Sequence, residues 1–249
     1  MLKRWRYVGV YGPEVMLCAG SARIGPVGQT WWAVWDRRER RLVERTRPGR
    51  GGRRLRLEPG LLAVRDGMVE IDLRLDEGPG VEVLTPDSGG FAWTSKHGAA
   101  LARGEVRVGG RGWRVDGSAF VDVSAGYHPR HTSWRWSAGR GDLVDGRSLA
   151  WNLVEGIHDS PRDSERTLWV EGRAQEIGPV RFASDLSGVE FSDGTRLSFR
   201  AEAIRRRDDN LLVIHSRYEQ PFGTFSGGLP GGLRLAQGYG VMERHDAVW

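Results

Sequence analysis

The residues best equipped for chemistry gather between Asp122 and Glu155. Asp122, Tyr127, His128, Arg130, His131 and Thr132 lead into Trp134 and Trp136. The last two stand two apart on an expected strand, so their indoles project to the same side. Paired indoles make either a core layer or a pocket wall, and the polar company ahead of them favours the wall. Trp93, Trp151 and Trp169 lie in other expected strands. His97, His128, His131 and His158 carry the side chain that titrates near neutral pH. The spacing His128-x-x-His131 hints at a metal, but on a loop with no third ligand in register it does not build a zinc or iron site, and none is expected.

A second polar cluster follows Trp151: Asn152, Glu155, His158, Asp159, Arg162, Asp163 and Glu165. Arg162 to Glu165 reads as a solvated loop. Glu155, between Val154 and Ile157, reads as facing the interior, where burial raises a carboxyl pKa. The chain has no Gly-rich phosphate loop ending in Lys-Ser/Thr, no Gly-x-Ser-x-Gly elbow, no Cys-x-x-Cys and no dinucleotide fingerprint opening a helix. Nucleotide-driven chemistry and serine hydrolysis are therefore disfavoured, and no cofactor is expected.

The elements that must position these groups are strands. Apolar residues recur with period two, as in Val69, Ile71, Leu73 and Leu75, and again in Val106 and Val108. Between such runs lie Asp66-Gly67, Gly109-Gly110, Asp116-Gly117, Asp145-Gly146, Glu171-Gly172 and Asp193-Gly194, each able to supply the positive φ of a tight hairpin. No segment sustains helical spacing behind a capping signal, so few or no long helices are expected. Arg200 to Arg207 alternates as a strand and is expected to end in a hairpin loop at Asp208-Asp209-Asn210. Many short strands in succession indicate an antiparallel barrel or sandwich. The turn-rich region Gly109 to Ser118 divides the chain into comparable halves, taken as 1–113 and 114–249.

The chain has 249 residues and a net charge of +5, and Lys3 and Lys96 are its only lysines. An arginine bias of this kind follows from a GC-rich coding sequence without any acidic partner. The densest basic stretch, Arg37, Arg38, Arg40, Arg41, Arg45, Arg47, Arg50, Arg53, Arg54 and Arg56, lacks the interleaved aromatics of single-strand binders, so nucleic acid is a remote alternative. Cys18 is the sole cysteine, so no internal disulfide forms and the cytoplasm is the expected compartment. Lys3, Arg4 and Arg6 precede an apolar run, but Pro13 and Glu14 break it before it resembles a signal peptide. No window approaches the apolar length of a membrane helix.

The stretch from Gly117 through Ser-Ala-Phe-Val-Asp-Val-Ser-Ala-Gly-Tyr-His-Pro-Arg-His-Thr-Ser-Trp-Arg to Trp136, with Trp151-Asn-Leu-Val-Glu-Gly156, Arg6-Tyr-Val-Gly-Val-Tyr11 and Gly178-Pro-Val-Arg-Phe182, resembles the bacterial domain-of-unknown-function family 2804. The resemblance covers nearly the whole chain. Members often carry an extra segment ahead of this point, which implies an internal start at Met1. More distantly, the chain resembles the double lipocalin-like proteins that include carotenoid 1,2-hydratases, through Gly117, Phe120, Asp122, Gly126, Trp134 and Trp136. The hydratase-like members usually follow the acid with His or Arg and another polar residue; this chain has Val123-Ser124.

The resemblance implies an all-β fold of two antiparallel lipocalin-like, calycin-type barrels or half-barrels packed together. It leaves two functions open. One is a cofactor-free hydratase or isomerase acting on an apolar lipid, isoprenoid or polyene-like molecule. Asp122 would protonate an alkene, Trp134 and Trp136 would face the developing cation, and His128 or Glu155 would orient water or accept a proton. The other is a non-catalytic carrier in which a barrel interior holds the ligand. In either case Trp134, Trp136, Tyr127, His131, Trp151, His158, Trp93 and His97 are the expected ligand contacts.

Overall fold

Val69–Asp76 alternates buried and exposed residue by residue, the signature of a strand with one packed and one wet face. That pattern recurs through the computed structural model, which describes residues 1–49, 51–87, 90–211 and 214–248. The first sheet contains β1 (Lys3–Tyr11), β2 (Val15–Ile24), β3 (Val27–Asp36), β4 (Arg41–Pro48), β5 (Leu55–Glu58), β6 (Leu61–Asp66), β7 (Val69–Asp76), β8 (Val81–Asp87), β9 (Gly90–Val108) and β10 (Arg111–Gly126). The second contains β11 (His131–Leu143), β12 (Ser148–Glu155), β13 (Thr167–Val170), β14 (Arg173–Glu176), β15 (Val180–Phe182), β16 (Gly188–Phe191), β17 (Arg196–Leu211), β18 (Ile214–Leu229) and β19 (Leu233–Val248).

Both sheets are antiparallel and curl into half-barrels. Their strand orders are β4-β3-β2-β1-β10-β9-β7-β6-β5, with β8 on β9, and β14-β13-β12-β11-β19-β18-β17-β16-β15. The fold is thus the lipocalin-like pair of half-barrels. Among the described residues the one helical piece is a 3₁₀ turn at Pro230–Gly232, and no helix is long and apolar enough to cross a membrane.

Most expected hairpins form. Glu171 and Gly172 adopt φ of 50° and 74°, the paired left-handed residues of a type I′ turn. Asp116-Gly117 does not turn: Asp116 lies opposite Arg103 within β10, where their side chains form an ion pair at 3.0 Å. The change of sheet falls at 127–130, later than the expected division at 113/114, because β10 runs on to pair with both β1 and β9. Arg200 to Arg207 is strand as expected. Asp208, Asp209 and Asn210 continue it opposite Arg217, Ser216 and His215, and Leu212 and Val213 lie outside the described residues, as does Arg50 of the basic stretch.

Alternation gives each sheet two working faces. One face of the first sheet closes on an inner core that includes Val8, Leu17, Trp32, Ile71, Leu73 and Val121; the second sheet has its own, with Trp151, Leu153, Leu168, Val189, Leu197 and Phe225. The residues in between point to the seam where the sheets meet, and there Tyr7, Tyr11, Met16, Cys18, Trp35, Phe120, Trp136, Trp169 and Phe222 form a third apolar layer. A Cβ on Gly98 of β9 would stand 2.2 Å from the Trp169 ring of β13, so glycine sets the closeness of the seam. Gly98→Val is expected to destabilise the fold by about 1–3 kcal/mol through overpacking. Urea unfolding measures this, and an unchanged midpoint would refute the role given to Gly98.

Candidate functional site

The seam is not filled along its whole length. At the end where β1 and β3 begin, it opens into a cavity of about 190 Å3 lined from both sheets. Register explains which side chains reach it. Across β11, β19, β18 and β17, Trp134 faces His245, His245 faces Tyr218, and Tyr218 faces Arg207. In the next row Trp136 faces Glu243, and Gln220 faces Arg205. The first sheet supplies Trp5, Tyr7, Trp31, Lys96 and Asp122.

Asp122 and Lys96 are directly opposed on β10 and β9. Their carboxylate and ammonium meet at 2.6 Å, and a second carboxylate, Glu165, lies 3.3 Å from the same ammonium. The Trp5 indole donates to the other Asp122 oxygen at 3.4 Å. All three charged groups are buried. Burial opposes the Lys96 charge, but Asp122 and Glu165 hold its pKa above the ordinary lysine range. Burial, with Glu165 nearby, raises the Asp122 pKa although Lys96 pulls it down. Two carboxylates thus share one cation out of water, and both burial and the second carboxylate oppose the charge on Asp122.

Glu243 is held differently. Trp134 Nε1 donates to Oε1 at 2.9 Å and Gln220 Nε2 to Oε2 at 3.0 Å, and Tyr218 adds a further side-chain hydrogen bond. These donors are neutral. Desolvation therefore dominates and lifts the Glu243 pKa to about 7, against the lowering effect of its hydrogen bonds. Two residues along the same face, His245 packs on Trp134 with ring centres 4.3 Å apart and contacts the Ser216 hydroxyl through Nε2 at 2.8 Å. Burial pushes the His245 pKa down to about 3, so its imidazole is neutral at physiological pH. Arg205 crosses the seam from β17 to Glu44 at 2.8 Å and Thr46 at 2.7 Å on β4, and its guanidinium lies over the rings of Tyr218 and Trp31.

Of the residues expected from sequence, Asp122, Trp134, Trp136 and His158 line this cavity. His158 also meets Thr85 through Nδ1 at 3.0 Å. His128 is one layer back, packed on Trp5 and His158. Glu155 is a correction. It follows Val154 on β12 and points away from the seam, to Arg135 at 3.3 Å and the Phe182 amide at 3.2 Å. Trp151 belongs to the inner core of the second sheet, where it bonds Ser137 and packs on Phe225. Tyr127 packs on Phe91 outside the cavity, and His131 is exposed beside Asp246. Trp93 reaches Glu82, and His97 bonds Ser95 and the carbonyls of Glu77 and Gly78. These contacts follow from alternation, which sends neighbours of a cavity residue to the opposite face. The supposed solvated loop is corrected at Glu165, which is buried. Glu243, His245, Tyr218, Arg205, Lys96, Trp5 and Trp31 were not singled out from sequence. The alternation of Val241, Glu243 and His245 was the available signal.

Part of the arginine stretch is paired: Arg37 with Glu202, Arg45 and Arg47 with Asp66, and Arg56 with Glu58.

A family model described as a domain of unknown function, DUF2804, matches residues 47–249. No curated protein matches the chain. Among solved structures, an AttH-type protein of Nitrosomonas europaea aligns with a TM-score of 0.64 at 14% identity, covering 97% of this chain and 91% of its own. Kievitone hydratase from Nectria haematococca aligns with a TM-score of 0.62 at 11% identity, covering 97% and 88%. CghA aligns with a TM-score of 0.50 at 9% identity, covering 98% and 87%. At these identities the likeness is one of fold.

Proposed function

The chain belongs to the DUF2804 family, and we propose that it binds a compact, largely apolar, unsaturated small molecule in the seam cavity and adds or moves a proton on it without a cofactor. The observation that carries this reading is Glu243, a buried carboxyl held only by neutral donors, with a pKa of about 7, facing a cavity walled by Trp5, Trp31, Trp134 and Trp136. A carboxyl that is half protonated near neutral pH is matched to general acid catalysis. Asp122 is committed to its ion pair with Lys96 at 2.6 Å and fixes that ammonium in the wall.

The chemistry follows from placement. The Glu243 carboxyl delivers a proton to an alkene carbon, the π-faces of Trp134 and Tyr218 stabilise the positive charge that develops, and neutral His245 accepts a proton from an attacking water or from the neighbouring carbon. Donor and acceptor share one face of β19, about 7 Å apart along the strand, so both act from the same side of the ligand. A hydratase among the similar folds supports the reaction class. The volume of 190 Å3, room for about six waters at 30 Å3 each, fits a single ring, a short isoprenoid, or the reacting end of a longer chain whose remainder passes out of the mouth.

A carrier is the second reading. Both Glu243 oxygens and both Asp122 oxygens already have protein partners, as orienting groups would.

Native mass spectrometry of protein purified from its own host identifies the ligand. Incubation of that ligand in deuterated water with wild type and Glu243→Gln then separates the readings. Catalysis places non-exchangeable deuterium in the product, and Glu243→Gln slows this by about 100-fold or more. A ligand returned unchanged and unlabelled by wild type would leave carriage alone; repeated preparations with an empty cavity would overturn both.

A further inference from the structure

The seam has a second opening at its other end. Strands β3 and β17 run from the cavity to a cleft of about 640 Å3, lined by Trp35, Arg37, Arg38 and Arg40 from the first sheet, by Arg111 and Trp113 at the start of β10, and by Arg200 and Glu202 from β17. Its floor is built and electrically spent. Glu202 accepts two hydrogen bonds from Arg37, at 2.7 Å each, and one from the Trp35 indole at 3.1 Å. Arg111 is taken by Asp36 at 3.0 Å and Glu39 at 2.6 Å, over the Trp113 ring.

What remains on the lips is unbalanced. Arg38 and Arg40 come from the hairpin joining β3 to β4, and Arg200 from the opposite sheet; all three are exposed, and none has an ion pair among the described residues. The acid in the lining that is not already engaged is Glu14. Arg40 also holds a left-handed φ of 52°, a conformation that costs an arginine energy and a glycine almost none. Guanidinium groups facing one another across a cleft match an anion that carries more than one negative charge, since each offers a forked pair of donors to phosphate or carboxylate oxygens.

We propose that this cleft is a binding site for a small polyanion bearing phosphate or several carboxylates, bridged between Arg38 and Arg40 on one sheet and Arg200 on the other. It is separate from the apolar cavity and does not depend on the reaction assigned there. Calorimetric titration of the intact protein with pyrophosphate and with citrate distinguishes the two chemistries. At least one is expected to bind with one-to-one stoichiometry, and the double variant Arg38→Ser/Arg200→Ser, both positions being exposed, weakens it by about tenfold or more. Arg181→Ser, an exposed arginine on β15, leaves binding unchanged. Absence of binding by both anions, or an equal loss in Arg181→Ser, would overturn the site. Tighter binding of a short single-stranded RNA through the same arginines would overturn the small-ligand assignment.

Discussion

Lys96→Met is expected to destabilise the protein by about 3–5 kcal/mol at pH 7, the cost of leaving buried carboxylates without their cation. Lys96 is the shared counter-ion of Asp122 at 2.6 Å and Glu165 at 3.3 Å, and methionine keeps the length of the stem while deleting the charge. The loss depends on pH with a definite sign. Without the ammonium, which pulls it down, the folded pKa of Asp122, already raised by burial, stands further above its unfolded value, so the folded state binds a proton that the unfolded chain releases. Stability is then retained below the unfolded carboxylate pKa and lost as pH rises through the folded one. Denaturant unfolding at pH 5 and pH 8 should therefore show a larger deficit at pH 8. Adding Asp122→Asn and Glu165→Gln should recover much of the loss, because an uncharged set no longer needs a cation. A deficit below 1 kcal/mol, or one that grows toward acid, would contradict the assignment.

The second large effect belongs to Glu243. Its folded pKa of about 7 stands above the ordinary 4.5, so this side chain takes up a proton on folding between those limits. Its contribution is fully present below pH 4.5 and falls away as pH rises to 7, by about 3 kcal/mol at 1.36 kcal/mol per pH unit. Glu243→Gln removes the titration. The difference in unfolding free energy between wild type and variant should thus move by about 3 kcal/mol in favour of the variant between pH 4.5 and pH 8. His245 titrates in the opposite sense, because its folded pKa is depressed, but the comparison of variant with wild type cancels it. A pH-independent difference would show that Glu243 is charged when folded and unfit to be the proton donor.

The half-barrel architecture was legible because period-two alternation and Gly-containing turns are local signals, and strands as regular as Val69–Asp76 leave little to interpret. Trp134 and Trp136 were legible as wall residues by the same rule. Glu155 was misread because Val154 and Ile157 suggested burial, whereas its facing depends on the register with β11, where it lies opposite Arg135. Lys96 and Glu165 were invisible as partners, since a strand pairing joins one to Asp122 and a returning loop brings in the other. One compositional cue was present: surface cations in this chain are arginine, so the only two lysines stand out, and both are buried. Glu243 and His245 lie far from Asp122 in sequence, and no local pattern marks a cavity whose two walls come from opposite ends of the chain.

The three apolar layers divide what mutation can change. Each sheet closes on its own inner core, while the cavity-lining groups stand on the seam face. Substitutions inside either inner core trade in stability and leave the cavity lining chemically intact; substitutions on the seam reshape the lining over sheets that are already packed. If the seam cavity is the ligand site proposed above, the residues that would select a ligand lie outside the two inner cores, although Lys96 among them also supports the fold.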